Sequence, residues 1–113
     1  MQIKTRQIDD VLVFDMAGRL DHQTSSDAND AVAQIIKDSN NKMFLINLKG
    51  LEYISSAGLS VILLAAKLIK SSSGKIKICE AQGVVKEVLE IAGFNSLLSM
   101  YESEKEGIAS FAN

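Results

Sequence analysis

Apolar positions change period several times along the chain, and each change marks an element. Ile3 to Ile8 alternates weakly, and Val11 to Met16 (VLVFDM) is a short run rich in Val and Phe, so the two read as strands joined by a turn at Asp9-Asp10. Gly18-Arg19-Leu20-Asp21 breaks the pattern. The segment SSDANDAVAQIIKDSNN then places Ala28, Ala31, Val32, Ile35 and Ile36 at helical spacing, with Ser25 or Ser26 as cap, early acids that suit the helix dipole, and Asn40-Asn41 as the stop. Met43 to Leu48 (MFLINL) is nearly continuous in apolar residues and predicts a strand buried on both faces. Lys49 to Ile54 reads as a loop. Ser55-Ser56-Ala57-Gly58 then leads into an apolar helix from Leu59 to about Lys70, and Gly74 ends that connection. Lys75 to Cys79 alternates as a strand, Val84 to Ala92 is an amphipathic helix stopped by Gly93, Leu97 to Tyr101 is a short strand, and Glu102 to Phe111 is a final helix.

Strands that alternate with helices imply right-handed crossovers and a mainly parallel sheet covered by helices. The strand pair at the start makes the sheet mixed. The predicted class is therefore α/β, one domain over residues 1–113, a mixed but mainly parallel sheet with helices packed against it.

Composition narrows the function. A chain of 113 residues, 47% hydrophobic and 23% charged, has room for one core and needs no staple to hold it. Cys79 is the lone cysteine, which excludes a disulfide framework and any CxxC motif. The net charge of −2, with acids and bases interspersed, offers no basic stripe for phosphates, and 5% aromatics offer no stacking platform, so direct nucleic-acid binding is not expected. The longest apolar run, Leu59 to Ala66, falls far short of the roughly 20 residues that span a bilayer. The opening MQIKTRQIDD lacks the basic-then-apolar pattern of a secretory signal, and the expected location is the cytoplasm.

Enzyme motifs are missing from the sequence: no GxGxxG, no GxxxxGK[ST] and no GxSxG. His22, the only histidine, lies beside Asp21 in what reads as a polar loop, with no orienting constellation around it. Cys79 reads as a small core residue, and no metal or cofactor is expected. The segment Asn47 to Leu59 (NLKGLEYISSAGL) stands apart. It carries the chain from the end of a buried strand to the first turn of an apolar helix, where ligand sites of open α/β sheets form and free N–H groups favour an anion. A serine at that place is either an N-cap or a hydroxyl that can carry a phosphoryl group of charge about −1.5 to −2 without breaking the fold.

The same segment resembles the signature of the STAS domain family, typified by bacterial anti-sigma factor antagonists, roughly D-L-S-x-[VL]-x-[YF]-[IM]-[DS]-S-[AST]-G. Leu48, Leu51, Tyr53, Ile54, Ser56, Ala57 and Gly58 match. Asn47 stands where Asp is usual, Lys49 where Ser is frequent, and Ser55 where Asp is common. Gly18-Arg19-Leu20-Asp21 is similar to the family's second block, G-x-[LI]-D ahead of the first helix, and the likeness covers essentially the whole chain.

The resemblance implies a transcription-regulating phosphoprotein that is not itself an enzyme. Ser56 would be the residue phosphorylated, and Asp21, Ser55, Ser56, Ala57, Gly58 and Leu59 would meet the partner. That partner would be an anti-sigma factor that is also a serine kinase of the histidine-kinase-like ATPase type, with a PP2C-type phosphatase resetting the switch. Ser55 is a lesser candidate acceptor. The alternative from another class is a STAS accessory subunit of a membrane transporter. A Ser56/His22 hydrolase would require the two side chains within hydrogen-bond reach.

Overall fold

The computed structural model describes residues 1–112. The chain runs β1 (Gln2–Ile8), β2 (Val11–Leu20), α1 (Ser25–Asp38), β3 (Met43–Ile54), α2 (Ser56–Ser71), β4 (Lys75–Cys79), α3 (Gly83–Ile91), α4 (Phe94–Leu97), β5 (Ser99–Tyr101) and α5 (Glu104–Ser110). The five strands lie side by side in chain order. β1 pairs antiparallel with β2, through a turn in which Asp9 adopts a left-handed φ of 51°, and every later pair is parallel. The expected mixed, mainly parallel α/β sheet is what the chain forms.

That strand order fixes where the helices go. Right-handed crossovers that always step the same way across a sheet deposit their helices on the same face. α1, α2 and α3 accordingly share one core with the sheet, built on Phe14, Met16, Leu20, Ile46, Leu48, Ile54, Val61, Ile62, Ile69, Ile78 and Leu89. The opposite face is left to α5, which covers only a smaller cluster of Val11, Val13, Leu45 and Cys79. Gly107 lets α5 sit close, because a Cβ there would lie 3.0 Å from Leu45 Cδ1.

Two strands run further than the hydrophobic pattern predicts. β2 continues through Gly18 to Leu20, and β3 takes in the whole segment 49–54 expected as a loop. Register shifts between Asp15/Ala17 and Gly18/Arg19 carry the pairing past this polar, glycine-containing stretch, and Gly18 supplies a φ of 96°. Leu51 and Ile54 then return to the core. The four-residue α4 was not predicted either. It follows Gly93, whose φ of 79° ends α3 as expected but turns the chain straight into another helical turn.

α5 is fastened electrostatically at both ends. At its start, Glu80 Oε2 accepts from the Glu104 backbone N–H at 2.8 Å, and the Glu104 carboxylate accepts from Arg6 and, at 3.0 Å, from Asn47 Nδ2. Arg6 also donates to Asp15, with Nη2 2.8 Å from Oδ1. At its end, Lys77 Nζ donates to Ser110 O at 3.2 Å and lies 4.4 Å from the centre of the Phe111 ring. Acid at the N-terminus and cation at the C-terminus both suit the helix dipole.

The hydrogen bonds from Arg6 are the main reason the Glu104 carboxyl lies below its ordinary pKa; burial opposes them, and Asn47 and the charge of Arg6 add to them. A carboxyl whose pKa is depressed by folding stabilises the fold above its unfolded value, about 4.3, and that contribution disappears as pH falls through the lower folded value. Glu104→Gln is expected to cost about 0.5–1 kcal/mol at pH 7, the range for a partly exposed pair, and to cost progressively less below about pH 4. Urea denaturation of both proteins across that pH range measures it. Gly58 generates a second prediction, because a Cβ there would lie 2.4 Å from Leu20 O and 2.8 Å from Ile54 Cγ1, both buried. Gly58→Ala should therefore destabilise by about 2–3 kcal/mol through overpacking, read as a lowered urea midpoint.

Candidate functional site

The two motif blocks meet at the C-terminal ends of β2 and β3. Leu20 pairs with Ile54 in the sheet, and the Ser55 backbone N–H donates to Leu20 O at 3.0 Å. The chain then turns into α2, with Ser55 as its N-cap and Ser56 as its first residue. Ser55 is extended, with ψ of −179°, and its Oγ accepts from Gly58 N–H at 3.3 Å. This is ordinary capping chemistry, and it divides the labour between the serines. Ser55 Oγ is turned back over the first turn, whereas Ser56 is exposed and its hydroxyl has no partner among the described residues. Only the Ser56 carbonyl is engaged, accepting from Ser60 Oγ at 3.2 Å.

The start of α2 is an electropositive setting. No acceptor among the described residues takes the Ser56 or Ala57 N–H: Ser55 Oγ accepts from Gly58 N–H, and the Ser55 carbonyl accepts from Leu59 N–H at 2.9 Å. Two backbone donors without an acceptor among the described residues, and the positive end of a 16-residue helix, therefore lie in the turn that carries the exposed Ser56.

Asp21 forms the neighbouring turn. Its Oδ1 accepts from Gln23 N–H at 3.0 Å and from Thr24 N–H at 3.2 Å, while its own N–H donates to Thr24 Oγ1 at 2.9 Å. Thr24 Oγ1 also donates to Arg19 O at 2.9 Å. Burial raises the Asp21 carboxyl, but hydrogen bonds from the Thr24 and Gln23 backbones, the Thr24 hydroxyl and the charge of Arg19 outweigh it, leaving the pKa below the ordinary aspartate value. Asp21 is thus an ionised staple that fixes the loop before α1.

The predicted site residues separate by exposure. Ser56 is exposed, and Asp21, Ser55, Ala57 and Leu59 are half-buried on the same rim. Gly58 does not belong with them as a contact residue: it is buried under Leu20, and its part is to let α2 approach β2. His22 is exposed and takes part in the loop through its backbone carbonyl, which accepts from Ser25 Oγ at 3.3 Å. No hydrogen bond among the described residues joins its ring to Ser55 or Ser56. Cys79 is fully buried, and burial foremost, then the charges of Glu104, Glu80 and Asp15, push its thiol up to about 12, so it is inert core.

Sequence reasoning missed three contributors to this surface. Thr24 ties Arg19 to Asp21. Ser60 and Leu64 extend the exposed stripe of α2 beyond Ser56. Their spacing of four and eight from Ser56 was the available signal. Among the described residues no group of acids, histidine and cysteine could hold a metal ion, and no helix is long and apolar enough to cross a membrane.

The model of the STAS domain matches residues 2–107. A Bordetella bronchiseptica protein named as an anti-sigma factor antagonist, BtrV, is 32% identical over 111 residues, covering 98% of this chain and 95% of its own. The anti-sigma F factor antagonist of Paenibacillus polymyxa is 29% identical over 104 residues, covering 92% and 89%. Among solved structures, the Bacillus cell fate determinant SpoIIAA in its phosphorylated form superposes with a TM-score of 0.73 at 16% identity, over 97% of this chain and 99% of that one. With both motif blocks meeting at one rim and a family match across nearly the whole length, the chain belongs to the STAS domain family.

Proposed function

We propose that the chain is an anti-sigma factor antagonist that works as a partner switch, with Ser56 as the phosphorylated residue. The observation that carries the reading is the division between the serines. Ser55 Oγ caps α2, and the exposed Ser56 Oγ stands free beside two unclaimed backbone N–H groups. The names of the relatives point the same way, and SpoIIAA, a protein of the same fold, has been solved in a phosphorylated form.

In the unmodified state, the rim formed by Asp21, Ser55, Ser56, Ala57 and Leu59 docks on an anti-sigma factor and displaces the sigma factor. That anti-sigma factor is also a serine kinase of the histidine-kinase-like ATPase type. It transfers the γ-phosphoryl of ATP to Ser56 Oγ, the hydroxyl proton passes to the kinase's base, and ADP leaves. The helix N-terminus tolerates the new dianion within this domain. Across the interface, the same charge faces groups that met a neutral hydroxyl, and repulsion and desolvation drive the partners apart. A PP2C-type phosphatase restores the hydroxyl. The chain itself catalyses nothing, and the circuit operates in the cytoplasm.

Incubation with the kinase and ATP, followed by mass spectrometry, is expected to place one phosphoryl group on Ser56, and Ser56→Ala should accept none. Phosphate retained by that variant would overturn the assignment of the acceptor. Ser56→Asp should weaken binding to the anti-sigma factor about 100-fold, equivalent to about 2.8 kcal/mol. Unchanged affinity in titration calorimetry would overturn the interface, and capture of a transporter subunit in place of a kinase would favour the accessory-module alternative.

A further inference from the structure

The chain has two arginines, and the fold uses them differently. Arg6 is committed internally, with its guanidinium shared between the carboxylates of Asp15 and Glu104. Arg19 is only positioned. It pairs with Tyr53 across β2 and β3, and its guanidinium carbon lies 4.3 Å from the centre of the Tyr53 ring. Its one ionic contact runs from Nε to Asp21 Oδ2 at 3.5 Å, longer than a good hydrogen bond, and its side chain is 60% exposed. Among the described residues no acceptor takes its Nη groups.

A guanidinium laid on an aromatic ring has already given up much of its rotational freedom, so little remains to be lost on binding. The parallel N–H donors of its free edge match a carboxylate in shape and charge. Its position also links it to the docking rim. Arg19 is followed directly by Leu20, whose carbonyl takes the Ser55 N–H, and by Asp21. It sits beside Tyr53 at the same end of β2 and β3 that launches α2.

We propose that Arg19, held on Tyr53, is the specificity-determining contact of the docking surface and pairs with a carboxylate side chain of the anti-sigma partner. The inference rests on the partner-switch reading and adds a chemical requirement to it: the partner carries Asp or Glu opposite position 19, and one with Lys or Arg there is rejected by like charge. Arginine and tyrosine are also among the residue types enriched at the energetic anchors of protein interfaces.

The test uses the full chain in its unphosphorylated form and the anti-sigma kinase that phosphorylates it at Ser56. Titration calorimetry at low and moderate salt is expected to show Arg19→Glu binding about 10- to 100-fold more weakly, and Arg19→Gln less affected. Thermal melting should show both variants folded like the parent. Exchanging the facing acid of the kinase for Lys should restore binding of Arg19→Glu, which a purely structural role for Arg19 would not allow. Unchanged affinity of Arg19→Glu for a kinase that binds and phosphorylates the parent overturns this inference while leaving the switch intact. Weakening confined to the phosphorylated form also overturns it, and would assign Arg19 to the phosphate of its own chain. If the kinase fails to bind the parent, the switch reading falls and takes this inference with it.

Discussion

The contact between the end of β2 and the start of α2 is the constraint on which the site depends. Ser55 N–H reaches Leu20 O at 3.0 Å, and the Cα of Gly58 approaches so closely that any side chain would strike that same carbonyl. Two segments more than thirty residues apart are thereby locked together, one carrying Arg19 and Asp21, the other carrying Ser56. A glycine in the signature is often read as a sign of flexibility. Gly58 lies inside a helix with ordinary backbone angles, and its value is the absence of a Cβ. The hydroxyl is presented at a fixed place because the turn beneath it has no room to move.

Much of this was legible beforehand, for reasons that can be named. The elements with a strong period, such as α2 and β3's first half, are those whose burial dictates their composition, so their kind was plain from spacing alone. The far half of β3 was hidden because Lys49, Gly50 and Glu52 are exposed and only Leu51 and Ile54 return to the core. A strand held by pairing to its neighbour, and shifted by irregularities, leaves little periodicity to read. The site was half visible. A serine pair at a helix start could be seen, but which serine caps and which is free depends on a single hydrogen bond to Gly58 N–H. The part of Arg19 was beyond reach, because it depends on a cross-strand partner 34 positions away and on the bulge that sets their register.

The departures from the family pattern become intelligible as local adjustments. Ser55 replaces a common Asp, yet it performs the same capping with a neutral oxygen, and the helix start keeps more of its positive character. Asn47 replaces a usual Asp, and its environment explains the exchange. It is 8% exposed, its Oδ1 accepts from Lys49 N–H at 2.9 Å, and its Nδ2 donates to the Glu104 carboxylate at 3.0 Å.

An aspartate at 47 would keep the first of these bonds and turn the second into a repulsion between two carboxylates in a partly buried place. Asn47 and Glu104 therefore form a compatible pair, and the Arg6 guanidinium is shared between the Glu104 and Asp15 carboxylates. The consequence reaches beyond one side chain. Three of the sheet's strands and the start of α5 meet through this group, so α5 is held by these charged hydrogen bonds as well as by the small cluster beneath it. The cluster under α5 is built on the first halves of β2 and β3, and the Arg19–Tyr53 pair lies at their other end. The direction in which the crossovers step thus decides both which face forms the main core and which stays accessible. Ser56 and Arg19 are separate in sequence and in chemistry, but they reach one rim because the same two parallel strands end there.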